Sequence, residues 1–311
     1  MPRIFASIDI GSNAVRLLFS NVYATNRQII SEKATLVRIP VRLGLDVFQT
    51  GSISDHRMGL LIRTLQAFKL LMDVYQPVAF RACATAAMRE ADNQKEVLRR
   101  IRKRTGMDIE VIDGHEEARL ISTCNSSRPV EESPWHLYVD VGGGSTEITL
   151  FHGTSIMASE SFRIGTIRLL TNHIGKPEWN TMKEWIKFWI PADEPVICFG
   201  SGGNINKIVK LFGNQAESSI TRKRLSVAYE ELLTLPVEER KSRYGMREDR
   251  ADVIVPAAEI FLRLMKWAGI KEVIAPKFGL ADGLAIAQYE AYAKQNGLPL
   301  PVEGDRVVQI T

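Results

Sequence analysis

Two aspartates in this chain stand directly before glycine-rich turns. Asp9 lies in FASIDIGSNAVRLLF, Phe5 to Phe19, and Asp140 in LYVDVGGGSTEIT, Leu137 to Thr149. Both stretches read apolar run, aspartate, apolar residue, glycine turn, second apolar run. A glycine turn lets backbone N–H groups approach a ligand because no Cβ is in the way, and several such groups together cradle an anion. Gly11, Ser12 and Asn13 form one candidate cradle; Gly142, Gly143, Gly144 and Ser145 form another. The hydroxyls of Ser12, Ser145 and Thr146 add donors. A carboxylate beside an anion cradle repels the ligand unless a cation lies between them. Mg2+ suits that place, since it takes one or two carboxylates and fills its shell with water and phosphate oxygens. Asp9 and Asp140 are therefore candidate metal ligands, and Glu147 is a further acid beside the second turn. Two such cradles facing one another would hold a phosphate chain from both sides.

Other residues extend this chemistry. FGSGGNINKI, Phe199 to Ile208, places Gly202 at the start of a helix, where free N–H groups also receive anions. DGHEEARLI puts Glu116 and Glu117 in a helical first turn. Their side chains point about 100° apart, so only one of them faces a given cleft. A carboxylate there can take a proton from water attacking phosphorus. No GxxxxGK[ST] occurs, which excludes a P-loop. The three cysteines have no CxxC spacing and the five histidines no HxxxH pair, so a zinc site is not expected.

The elements that must carry these residues alternate. Phe5–Ile10, Val15–Tyr23 and Gln28–Ile39 read as strands. Ser54 caps a helix reaching about Tyr75, with Met58, Leu61, Leu65, Phe68 and Met72 as its apolar stripe. Val78–Cys83 reads as a strand, Asp92 as the cap of a helix closed by Gly106, Asp108–Ile112 as a strand, and a helix begins near His115. Polar, proline-bounded NSSRPVEESP, Asn125 to Pro134, reads as a linker. The pattern then restarts with the second glycine hairpin. Helices are expected at Thr166–Ile174, Trp179–Trp189, Ser226–Leu235, Asp249–Trp267 and Leu284 to about Gln295. This internal duplication predicts an α/β protein of two similar domains facing each other across a cleft. The expected bounds are 1–127 and 135–284, with the last helix, about 285–311, joining the first domain. The net charge of +4 permits polyanionic partners. The densest basic run, RRIRKR, Arg99 to Arg104, reads as a solvated helix face, with a polyanion track as the rival reading. No apolar run approaches the roughly 20 residues of a membrane span. With no leader-like segment at Met1, a cytoplasmic protein without membrane or specific nucleic-acid partners is expected.

In chain order, DIGSNAVRL, GHEEARLI, VDVGGGSTEI, RIGTIRL, FGSGGN and FGLADG resemble the exopolyphosphatase / guanosine pentaphosphate phosphohydrolase family, over about Ile4 to Ala291. The resemblance implies two ribonuclease-H-like domains of the actin-like ATPase type with the active site in the cleft. It implies Mg2+-dependent removal of terminal phosphate from inorganic polyphosphate, or of the 5′-terminal phosphate from guanosine pentaphosphate. The family's catalytic glutamate directly precedes ARLI, which selects Glu117. By the same resemblance Asp140 and Glu147 stand near the metal and the water, and Gly142 to Ser145 hold phosphates. Asp9, Ser12, Asn13 and Arg16 line the cleft. Arg89 matches the arginine of the family's ATxxxR and would be a phosphate partner, with Arg168 of RIGTIRL as a further candidate. Longer relatives add a helical C-terminal region, so a short form is expected, and a homodimer is compatible with it. Asn204 stands where many relatives carry threonine, and RIPVRLG departs from the usual form. Rival readings are a guanosine pentaphosphate phosphohydrolase, an ATP-dependent kinase or ATPase of the same superfamily, and a non-catalytic polyphosphate or alarmone binder. Glu117, Asp140 and Glu147 together argue against the last, because a binder needs no base.

Overall fold

A computed structural model of the chain describes residues 2–25, 28–125, 135–153, 155–301 and 307–311. It separates into two compact units, Met1–Pro129 with Phe278–Thr311, and Val130–Lys277. The stretch read as a linker falls outside the described residues from position 126 onward.

The first unit is built on β1 (Arg3–Ile10), β2 (Val15–Ala24), β3 (Gln28–Ile39), β4 (Ala79–Ala84) and β5 (Glu110–Val111). β1, β2 and β3 pair antiparallel; β4 runs parallel to β1 and β5 parallel to β4, giving the order β3-β2-β1-β4-β5. The second unit uses β6 (Trp135–Val141), β7 (Thr146–His152), β8 (Ser155–Phe162), β9 (Val196–Ser201), β10 (Ser219–Thr221) and β11 (Glu272–Ile274). Its order is β8-β7-β6-β9-β11-β10, so its first five strands repeat the first unit's arrangement. Each unit then adds one short strand at a different edge. β10 joins β11, and β12 (Val307–Ile310) joins β3. The antiparallel hairpin pair followed by parallel strands is the ribonuclease-H-like order, present twice. β1 and β6 sit at the centre of their sheets with both faces covered, which is why both are nearly continuous apolar runs.

Helices follow local signals where these exist. Ser54 Oγ accepts from the Arg57 N–H at the start of Asp55–Tyr75, and the expected stripe residues are its buried face. Gly106, at φ 73°, closes Gln94–Thr105 in the left-handed region. Asp92 does not cap that helix. The cap position is Asn93, whose side-chain amide instead bonds the Ile53 N–H and C=O at 3.0 and 2.8 Å, a distant strap that outcompetes local capping. Leu43–Thr50 carries no sequence signal: it starts after Arg42 at φ 57°, without a side-chain cap, and holds Gly44 in its first turn. The run expected as Asp249–Trp267 is two helices, Glu248–Ala251 and Ile254–Trp267.

The last helix, Leu280–Gln295, packs in the first unit against β1, β2 and the helix Gly114–Ser122. Its first turn is held by Asp282, whose carboxylate accepts from the Gly279 N–H at 2.9 Å and pairs with Lys33 at 3.0 Å. Burial pushes the Asp282 carboxyl above its usual range, although Lys33 opposes the shift. Among the described residues no helix is long and apolar enough to cross a membrane.

Candidate functional site

The duplication extends to the hydrogen bonds of the two turns. Gly11 N–H donates to Ala14 O at 3.1 Å, and Gly142 N–H to Ser145 O at 2.9 Å. A Cβ on either glycine would stand 3.2 Å from that same acceptor oxygen. Each turn is braced by the segment after the third strand of its sheet. In the first unit Arg42 N–H donates to Asn13 O and Gly44 N–H to Ser12 O, at 3.0 and 2.9 Å. In the second, Thr166 N–H donates to Gly142 O at 3.0 Å, Ile167 N–H to Gly143 O at 2.8 Å, and Arg168 Nε to Gly144 O at 2.9 Å.

This bracing decides where the amides point. The carbonyls of Gly142, Gly143 and Gly144 all face the segment that begins at Thr166. Across a trans peptide the N–H is antiparallel to the C=O, so the amides of Gly143, Gly144 and Ser145 face the opposite side, an arrangement able to receive an anion. Gly165 makes the approach possible, because a Cβ there would lie 2.5 Å from Gly143 C and O and from Gly144 C. Arg168 is buried and braces the turn from behind. Arg168→Ala removes a charged donor from a buried carbonyl, a loss of about 1.5–3 kcal/mol. We expect kcat/KM for the phosphate release that the family resemblance implies to fall roughly 10- to 100-fold, with partial recovery in Arg168→Lys; unchanged kinetics in both variants would remove this role.

The sheets also place the acids in equivalent rows, and there the units differ. Asp9 stands between Arg16 on β2 and Cys83 on β4, and Asp140 between Glu147 on β7 and Ser201 on β9. Arg16 Nη1 lies 2.5 Å from Asp9 Oδ2, so the first row neutralises itself. Burial holds the Cys83 thiol up at about 12, hence protonated. The second row brings two carboxylates together, with one oxygen of Asp140 and one of Glu147 within 4.8 Å. Two acids so placed repel unless a cation or proton intervenes. Glu147 is oriented by Ser161 on β8, whose Oγ donates to Oε1 at 2.8 Å. This all-oxygen donor pair fits Mg2+, which prefers few carboxylates and keeps water. Asp9, whose charge Arg16 already meets, fits it less well.

The neighbouring glutamates of the first unit separate cleanly. Asp113 caps Gly114–Ser122 by accepting from the Glu116 N–H at 2.8 Å. Glu116 forms a two-pronged pair with Arg119 at 2.7 and 2.8 Å and lies 3.5 Å from Arg81. The bonds to Arg119 hold its carboxyl below the usual range. Glu117 is buried. Arg89 donates to Ile112 O at 2.7 Å, tying its short helix Ala86–Glu90 to the approach to Glu117's helix. In the second unit Gly202, at φ 109°, lies beside Asp140: a Cβ there would be 3.4 Å from Oδ1. The helix Gly203–Phe212 starts at that point. No motif flags Arg250, yet its Nη2 lies 3.0 Å from where a Cβ on Gly203 would stand. Its local sequence, REDRAD, resembles any charged helix start.

Known structures share this fold. An exopolyphosphatase from Cytophaga hutchinsonii is 23% identical, with 96% of this chain and 100% of that chain aligned at a TM-score of 0.78. A Ppx/GppA family member from Aquifex aeolicus is 24% identical, over 94% and 99% of the two chains, at 0.74. An Aquifex aeolicus PPX-GPPA enzyme is 25% identical, over 92% and 100%, at 0.72. The family model described as the Ppx/GppA phosphatase family matches residues 25–191, more than half of the 311. The chain thus belongs to the Ppx/GppA phosphatase family and is a phosphoanhydride hydrolase.

Proposed function

We propose that the protein releases terminal orthophosphate from inorganic polyphosphate, with Glu117 as general base and with Asp140 and Glu147 holding Mg2+. The observation that carries this reading is the second unit's pairing of two close carboxylates with a turn whose amides face outward. The first unit has the same turn but an internally neutralised acid. A polyanion and its counter-cation therefore have a place in the second unit.

In this reading the amides of Gly143, Gly144 and Ser145 grip the oxygens of the terminal phosphate. Mg2+, when bound, spreads the charge that builds on the phosphate. Glu117 accepts the proton of a water aligned with the scissile bridge. The water oxygen forms a new bond to phosphorus, the bridging P–O bond breaks, and the shortened chain leaves with the electron pair. Positioning and charge stabilisation are most of what phosphoryl transfer requires. Arg89 and Arg168 each hold backbone, at Ile112 O and Gly144 O.

The test is a phosphate-release assay on long-chain polyphosphate, triphosphate, guanosine pentaphosphate and ATP, with Mg2+ and with EDTA. We expect release from polyphosphate that EDTA abolishes and Mg2+ restores. Release from guanosine pentaphosphate alone would move the assignment to that nucleotide. Release from ATP alone would support the kinase-like rival.

A further inference from the structure

A groove of about 1030 Å3 in the second unit lies outside the machinery described above. Arg222, Lys223, Lys266 and Lys271 line it, with Val227 and Leu262. All four cations are exposed, and none forms an ion pair among the described residues. The basic run Arg99 to Arg104 in the first unit is different, because Glu96, Asp55 and Asp108 answer Arg99, Arg100 and Arg102. Four cations without an acidic partner among the described residues thus converge on one groove of the second unit.

Strand directions fix where the groove lies. Thr221 pairs with Glu272 at the beginning of β11, and Arg222 N–H donates to Lys271 O at 2.7 Å. β11 runs parallel to β9, and β9 parallel to β6. The groove therefore sits at the start of the parallel strands, and the Gly142 turn at their end. β6 spans seven residues, so the two sites are separated by roughly 20 Å of sheet. We propose that this groove is a second polyanion site that tethers a distal segment of a long polyphosphate chain while its end is at the turn. This rests on the polyphosphate reading given above.

The lining favours a polyanion without bases. Among the described residues no aromatic side chain lines the groove, so they supply no stacking platform of the kind a single-stranded nucleic-acid site uses. Val227, Leu262 and the lysine and arginine stems make an apolar floor that strengthens the pull of the charges. A chain held there raises the effective concentration of its own end at the turn. A chain too short to cover the distance gains nothing.

The experiment compares the full-length wild type with Arg222→Gln/Lys223→Gln/Lys266→Gln/Lys271→Gln. Two readouts are taken, phosphate release from long-chain polyphosphate and from triphosphate, and direct titration of long-chain polyphosphate in EDTA. Four exposed charge contacts sum to roughly a tenfold rise in KM for the long chain. We expect kcat and all triphosphate kinetics to stay unchanged, and titrated affinity to weaken. Unchanged long-chain KM and affinity would overturn the proposal. So would an oligonucleotide of equal charge that displaces polyphosphate equally well. If the wild type releases phosphate from neither chain, the catalytic reading fails, and the titration still decides the groove.

Discussion

Glu117→Gln is expected to lower phosphate release about 10²–10⁴-fold, the usual loss when a general base is removed. The amide matches the carboxylate in shape and can still hydrogen-bond a water, but it cannot take the proton. Because the amide keeps the volume and shape of the buried side chain, Tm should change little. Polyphosphate affinity in EDTA should also be retained. The matched control is Glu116→Gln. Glu116 is partly exposed and paired with Arg119, so its loss should cost less than about 1 kcal/mol of stability and leave turnover intact. Neighbouring substitutions in one helix turn thus separate base chemistry from helix stability. Full turnover in Glu117→Gln, or its loss in Glu116→Gln alone, would remove Glu117 from the base role.

Gly283→Ala is expected to cost both stability and activity without removing any polar group. A Cβ at Gly283 would stand 2.0 Å from Leu120 O and 2.6 Å from Leu120 C. Both helices must then part, because neither atom is the flexible end of a side chain. Overpacking of this kind costs about 1–3 kcal/mol and sometimes more. The helix-propensity gain of alanine over glycine is at most about 1 kcal/mol, so the clash wins. For a unit of this size Tm should fall by roughly 2–4 °C per kcal/mol lost. Leu120 shares the helix Gly114–Ser122 with Glu117, so the displacement reaches the proposed base and kcat should fall as well. Gly59→Ala is the contrast. Its Cβ would meet only the Arg63 guanidinium, at 3.5 Å, in the helix Asp55–Tyr75. That change should stabilise the chain by up to about 1 kcal/mol and leave kcat alone. Calorimetry and kcat/KM on the two variants check the pair, and equal Tm values for both would refute the packing account.

Much of the fold is written locally. The glycine turns after Asp9 and Asp140, the Ser54 cap, the Gly106 stop and the stripe from Met58 to Met72 each depend on neighbours within a few residues, and each has the expected structure. The repeat of apolar run, aspartate and glycine turn is likewise visible without coordinates, and it corresponds to the same five-strand order built twice. Chemistry at the turns is only half visible. Residue types name carboxylates and glycines, but register decides that Asp9 faces an arginine while Asp140 faces a glutamate.

What tertiary structure alone decides is the bracing and the close approaches. Gly165 against Gly143, Gly283 against Leu120, Arg168 on Gly144, Asn93 strapped to Ile53 and Arg250 beside Gly203 join positions far apart in the chain. Periodicity, caps and turn residues report the energetics of one helical turn or one hairpin. A glycine kept small for a distant backbone, or an arginine aimed at a distant carbonyl, follows no such period. Its reason exists only once both segments are packed.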